Sequence, residues 1–358
     1  MKITNILPAA ALLILGASCQ DKQNTVADNA LKPVSITEQT PNDTDDPAIW
    51  VHPTDPDSSL IVGTDKEVGG GLYVYDLQGK IVNKFIDMQR PNNVDIAYGL
   101  MINGKKTDIA VTTERKAHVI RVFSLPDLKP IDNGGIPIFE GETGEEERDG
   151  MGIALYSKQL DSANVEIQAI VGRKTGPSGS YLWQYKLAAD SNGIVSGEVV
   201  RKFGAYSGKK EIEAIAVDNE LGYVYYSDEQ AGVHKYYADP AKGDEELALF
   251  AQQDAKEDHE GIAIYKKDDK TGYILVSNQQ NNSFLVYKRE GETNTPHAHS
   301  LIAEVPVSTI ECDGADALNV NFGPQYPNGI FVAMSNGKVF HIYNWDDVQN
   351  WIDNNPIQ

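Results

Sequence analysis

The stretch EAIAVDNELGYVYYSDEQAGVHKYYADP, residues 213–240, contains three short apolar segments divided by polar turns, and its reading decides the fold. EAIAVD gives way to Asn219-Glu220-Leu221-Gly222, YVYYSDE to Gln230-Ala231-Gly232, and VHKYYADP stops at Asp239-Pro240. Brief runs of β-branched and aromatic residues bounded by Gly, Pro, Asn and Asp read as strands. Such segments cannot bury their faces alone, so one copy of this triple would not make a domain.

The triple recurs six times in the same order. Segments like EAIAVD are DDPAIWV, NVDIAYG, MGIALY, EGIAIY and DGADALNV; those like YVYYSDE are LIVGTDK, DIAVTTER, AIVGRK, YILVSNQ and FVAMSNG. The third set is LYVYDLQG, VIRVFSLPD, YLWQYKLAAD, FLVYKREG and VFHIYNWDD. Its aromatics Tyr75, Phe123, Tyr185, Tyr236, Tyr287 and Tyr343 stand 48, 62, 51, 51 and 56 residues apart. A period near 50 with several strands per unit predicts an all-β, six-bladed β-propeller in one domain over residues 41–358. A sandwich would lack the regular triple, and a helical solenoid would show a 3.6-residue period.

Ahead of the repeats, residues 1–19 read as a lipoprotein-type signal peptide: Lys2, an apolar run from Ile6 to Leu15, then Gly16-Ala17-Ser18 before Cys19. Cys19 is the expected lipid-bearing residue, which makes the protein an exported outer-membrane lipoprotein, periplasmic or extracellular. Ordinary signal cleavage near Ala17 is the alternative. Residues 20–40 are polar without period and are expected to be a flexible tether. Cys312 is then the sole thiol left, so no intramolecular disulfide can form. A net charge of −21 disfavours nucleic acid and anionic lipid as partners and suits cations.

In a propeller, equivalent repeat positions form rings around a central channel. Aligning the six segments of the EAIAVD set puts Asp46, Val94, Met151, Glu213, Glu260 and Asp313 on one ring, with Asp45, Asp95, Asp149, Glu211, Asp258 and Glu311 flanking it. The ends of the next set give Lys66, Arg115, Arg173 with Lys174, then Glu229, Gln279 and Asn336. An acidic arc and a basic arc are therefore expected at one mouth. Crowded carboxylates destabilise one another unless a cation sits among them. Oxygen ligands without His or Cys select Ca²⁺ or Mg²⁺, and numerous flexible carboxylates favour Ca²⁺. The basic arc suits phosphate oxygens, and together the arcs suit metal-assisted phosphoryl hydrolysis. Salt bridging of Lys66, Arg115 and Lys174 to the acids is the structural alternative. His259 alternates to the opposite strand face and Cys312 has no nearby His to activate it, so neither is assigned chemistry.

DDPAIW at 45–50, NNVDIAYG at 92–99, EAIAVDNELGYVYYSDE at 213–229, DHEGIAIY at 258–265 and FGPQYPNGIFVA at 322–333 resemble the β-propeller phytases, over roughly Asp43 to Trp345. That resemblance implies hydrolysis of phytate, the hexakisphosphate of inositol, free or as its calcium complex. Several Ca²⁺ ions would act, and a water held by calcium would attack phosphorus without a phosphoenzyme. It makes Asp46, Glu213, Glu260 and Asp313 calcium ligands at the cleavage site and Asp45, Asn93, Asp95, Glu229 and Asp258 further ligands. Lys66, Arg115 and Lys174 become the phosphate-binding side, with Gln279 beside them; Glu213, Glu260, Asp313, Lys66 and Arg115 form the catalytic set. The chain departs from the family pattern at Glu67, Met151 and Cys312, where a lysine, a tyrosine hydroxyl and an uninterrupted acidic motif differ. A monomer is expected. Two other readings remain: a non-catalytic calcium-binding propeller module, and a calcium propeller hydrolase acting on a lactone or phosphotriester. Neither has need of both arcs.

Overall fold

The computed structural model describes residues 25–162 and 164–357; the expected signal and Cys19 lie outside them. Six antiparallel sheets form the blades of a six-bladed propeller. Blade 4 shows how the quoted stretch folds: Ile212–Asp218 pairs with Tyr223–Asp228, which pairs with Gly232–Tyr237, and Ala248–Phe250 completes the sheet on the outside. The inner strand of blade 1, Thr44–Trp50, is buried throughout. The outer strand Ile81–Ile86 alternates half-buried with exposed residues, as expected of a sheet with one wet face.

The repeated aromatic supplies the packing between blades. Tyr75, Phe123, Tyr185, Tyr236, Tyr287 and Tyr343 are all buried. Edge-on ring pairs cross the seams: Phe85 with Phe123 at 4.9 Å, Phe203 with Tyr236 at 5.4 Å, Phe250 with Tyr287 at 5.1 Å and Tyr75 with Phe340 at 6.0 Å. Each such pair adds about 0.5–1.5 kcal/mol beyond the burial of its area. Carboxylates lock the inner strands in the same way: Asp95 accepts from Leu155 N at 2.7 Å, and Asp316 from Ile49 N at 2.9 Å.

The ring closes through the N-terminal segment. Ser35–Ile36 pairs antiparallel with Val339–Asn344 in the register Ser35↔Ile342, making the outer strand of blade 6. Leu31 N donates to Pro306 O at 2.9 Å, and Thr37 Oγ1 accepts from Phe340 N at 2.8 Å. The part of the expected tether from Leu31 onward is thus docked. A strand of two residues has no alternation to recognise, and its partner lies about three hundred residues away in sequence. After Asn344 the chain leaves the sheet. It turns into the helix Trp345–Asn354, whose N-cap Asn344 accepts from Asp346 N at 3.0 Å, while Trp345 stacks on Tyr265.

Candidate active site

Every inner strand from blade 1 to blade 5 breaks its ladder at the same place. Pairing shifts between Thr44 and Pro47, Pro91 and Val94, Gly150 and Ile153, Ile212 and Ile215, and His259 and Ile262. Two residues lie between the paired positions of each bulge, and a bulge re-aims side chains out of the ladder. The first of these are Asp45, Asn92, Met151, Glu213 and Glu260, with Asp313 in the matching place before Gly314 of blade 6. The ring expected from sequence is corrected accordingly: Asp45 replaces Asp46, and Asn92 replaces Val94. In NNVD and TDDP several polar residues adjoin, so alignment by residue type could not choose among them.

The second bulge residues are Asp46, Asn93, Gly152, Ala214 and Gly261. They are mostly small because the inner strands approach closely here. A Cβ on Gly152 would stand 1.9 Å from Glu213 O, and one on Gly314 would stand 2.3 Å from Asp46 Oδ1. Asp46 accepts from Val94 N at 3.0 Å and lines a cavity of about 90 Å³ in the channel with Asn93, Asp95 and Asp316. Both oxygens of Asp95 are engaged, by Ile96 N and Leu155 N at 2.7 Å each. Burial raises the Asp95 pKa to about 7.

Above this level the ring residues meet. Asn92 Nδ2 donates to Asp45 Oδ2 at 2.8 Å and Glu213 Oε1 at 2.6 Å, joining three blades. Lys66 Nζ lies 3.0 Å from Asp45 Oδ1 and 2.6 Å from Asp313 Oδ2, and Gln279 Nε2 donates to Asp313 Oδ1 at 2.7 Å. Burial acts to lower the Lys66 pKa, but Asp45, Asp313 and Glu213 outweigh it and raise it above its ordinary value. Burial also pushes Asp45, Glu213, Glu260 and Asp313 upward.

Two overlapping carboxylate groups follow on the blade 4 and 5 side: Glu211, Glu213 and Glu229, then Glu229, Asp258 and Glu260, each with oxygens within 4.8 Å of one another. Lys210 Nζ lies between Glu229, Asp258 at 2.9 Å and Glu260 at 3.8 Å. Gln230 and Gln280 donate to Asp258 at 2.9 and 2.8 Å. Glu229 Oε1, Glu260 Oε2 and Asn92 Oδ1 are buried without a hydrogen-bond partner. Unsatisfied buried carboxylate oxygens are costly in a metal-free protein, and an all-oxygen donor set fits a hard divalent cation. Burial raises the Glu229 pKa to about 8 against the opposing pull of Lys210.

The basic residues do not form a separate arc. Lys66 is ion-paired within the acidic ring, Lys174 pairs with Glu211, and Arg115 packs its guanidinium on Met151 Sδ. Arg173 is fully buried, donating to Ser180 O at 3.0 Å, so it holds a loop rather than facing the mouth. His259 Nε2 donates to Ala251 O at 2.6 Å, away from the ring, and Cys312 is buried with its pKa raised by burial. Asn92 and Lys210 were missed in the sequence. Asn92 adjoins Asn93, and residue type alone does not choose between them; Lys210 follows Lys209 in a charged loop, where nothing local marks its contact with blade 5.

The chain matches the phytase family over residues 3–357. It is 32% identical to the 3-phytase of Bacillus subtilis (strain 168) over 333 residues, which is 87% of this chain and 82% of that protein. A chain in the crystal structure of BBS1N in complex with ARL6DN, soaked with mercury, superposes with a TM-score of 0.50 at 12% identity. That superposition covers 87% of this chain and 83% of the other, and speaks to the fold alone. With a family match that spans nearly its whole length and a bulge ring that gathers the carboxylates in one place, this chain belongs to the phytase family.

Proposed function

We propose that the chain hydrolyses phosphate monoesters of phytate, taken free or as its calcium complex, and that it needs Ca²⁺ to do so. The observation that carries this reading is the set of five carboxylates Glu211, Glu213, Glu229, Asp258 and Glu260, of which Glu229 and Glu260 keep unsatisfied buried oxygens, next to Lys66, Arg115 and Lys174. Glu213, Glu229, Asp258, Glu260, Asp313 and Asp45 would hold calcium at the mouth, with Asp46, Asn93 and Asp95 on the channel side. Calcium, when bound, neutralises phosphate charge and makes water beside it a better nucleophile.

The chain's own residues then have distinct tasks. Arg115 presents a cation to phosphate oxygens, and Lys66 and Lys174 can exchange their carboxylate partners for one. Gln279 holds Asp313 in place through its 2.7 Å bond. Asn92 fixes Asp45 and Glu213 relative to each other, so that oxygens from blades 1 and 4 keep a constant separation. Hydrolysis forms a bond from water oxygen to phosphorus, breaks the phosphorus–oxygen bond to inositol, and leaves the proton on the inositol oxygen. The buried acids and cations would hold the polyanion still while this occurs.

The test is phosphate release from phytate by the chain expressed from Gln20, with millimolar Ca²⁺ or with EDTA. Release confined to the calcium arm, with little from an aryl phosphate, is the expected result. A folded, calcium-bound protein that releases none would instead fit a binding module. Export as a lipoprotein acylated at Cys19, and a monomeric state, belong to the same proposal. Labelled-palmitate incorporation lost in Cys19→Ala, and sedimentation of the soluble chain, would test them.

A further inference from the structure

We infer that Lys210 is a tethered competitor for a divalent cation: its ammonium occupies the place among Glu229, Asp258 and Glu260 that the ion must take. The inference rests on the calcium reading above and adds a residue that controls how tightly the ion is held.

Three observations converge on it. Lys210 Nζ contacts carboxylates from two blades, Glu229 of blade 4 and both Asp258 and Glu260 of blade 5. These three acids are almost fully buried, so they have little other access to solvent or counterions. Even with the ammonium in place, Glu229 Oε1 and Glu260 Oε2 lack a partner. One monovalent cation therefore leaves the group under-satisfied, and the remaining oxygens are free for a cation with more coordination positions. Ca²⁺ takes about six to eight oxygens at roughly 2.3–2.6 Å, which a single ammonium with three donors cannot reproduce.

The two cations exclude each other. An ion within bonding distance of Glu229, Asp258 and Glu260 would stand against Lys210 Nζ, and like charges at such range repel strongly in a buried site. Lys210 can leave. It follows Phe203 in the loop that leads to Ile212, its side chain is 39% exposed, and its four-carbon stem lets the ammonium swing to water without moving the strands. Gln230 and Gln280 hold Asp258 independently of the lysine, so the carboxylate stays in position when it withdraws. The metal-free site is thereby kept from bursting by charge repulsion, and the ion is bound more weakly than the carboxylates alone would bind it.

The experiment is calcium titration by calorimetry, without substrate, on full-length chelator-treated wild type, Lys210→Met and Lys210→Arg, with thermal melts in EDTA and in calcium. Lys210→Met should bind calcium on the order of tenfold more tightly and melt lower in EDTA, so that its calcium-induced rise in Tm exceeds that of wild type. Lys210→Arg places a fork that grips carboxylates better than an ammonium, so its calcium affinity should fall below wild type. Calcium affinity unchanged or reduced in folded Lys210→Met would overturn the inference. Should Lys210→Met fail to fold without metal, Lys210→Arg decides alone: affinity equal to or above wild type refutes competition. Because no substrate is present, failure of the wild type to release phosphate would sink the phytase reading without altering these titrations.

Discussion

Asn92 and Glu213 stand 121 positions apart in sequence, yet Asn92 Nδ2 donates to Glu213 Oε1 at 2.6 Å across the channel mouth. The same nitrogen reaches Asp45 at 2.8 Å, so one amide sets the spacing of two acids that would otherwise repel. Asn92→Ala should keep the circular-dichroism spectrum of the wild type and lower phosphate release from phytate by about 10–100-fold, as loss of a partner that orients metal ligands commonly does. Unchanged release would mean that the acids are positioned without it.

Glu260→Gln and Asp313→Asn remove charge while keeping shape. Both should abolish turnover and leave the fold intact, because each deletes an anionic oxygen that the cation requires. Lys66→Ala should mainly raise KM. Since Lys66 also pairs with Asp45 and Asp313, it should additionally lower the melting temperature in EDTA. Wild-type rates in all three would sink the site assignment.

Metal-free stability should depend on pH with a definite sign. The Glu229 carboxyl, ordinarily near 4.5, is raised to about 8 by burial, and Glu213, Glu260 and Asp313 are raised by the same cause. A folded state that binds more protons than the unfolded chain loses stability as pH rises. The contribution is therefore complete below the unfolded pKa and lost as pH climbs through about 8. In EDTA the Tm should fall between pH 5 and pH 8, and saturating calcium should flatten that slope. A Tm that climbs with pH in EDTA would contradict the buried carboxylate account.

Away from the mouth, Arg289 of blade 5 grips Asp218 of blade 4 with Nε and Nη2 at 2.6 Å each, and both side chains are fully buried. Arg289→Ala leaves Asp218 charged and unpaired, and should cost about 3–5 kcal/mol in urea unfolding. Calcium affinity should change little, since neither residue belongs to the carboxylate ring. A loss under about 1 kcal/mol would show that water replaces the guanidinium.

How far the sequence could be read depends on what each feature requires. Strand identity is local: YVYYSDE and VHKYY reveal themselves by composition and turn residues, and six repetitions make the propeller legible. Glu213, Glu260 and Asp313 were placed in the ring because each precedes a small residue at the same point of its repeat. At NNVD and TDDP the polar residues are consecutive, and a slip of one residue turns a side chain to the other face. Only the pairing of Pro91 with Glu114 and of Thr44 with Asp65 assigns Asn92 and Asp45 to the ring.

The sequence by itself determined the blade count, the chemical character of the mouth and the set of acids from which its ligands are drawn, because repeat period and residue type are properties of the chain. Tertiary structure alone decided which cation meets which acid. Lys66 was expected to stand apart from the acids, but it lies between Asp45 and Asp313, 21 and 247 positions away, while Lys210 bridges two blades. Electrostatic energy depends on distance through space and on burial, and neither is encoded in position along the chain.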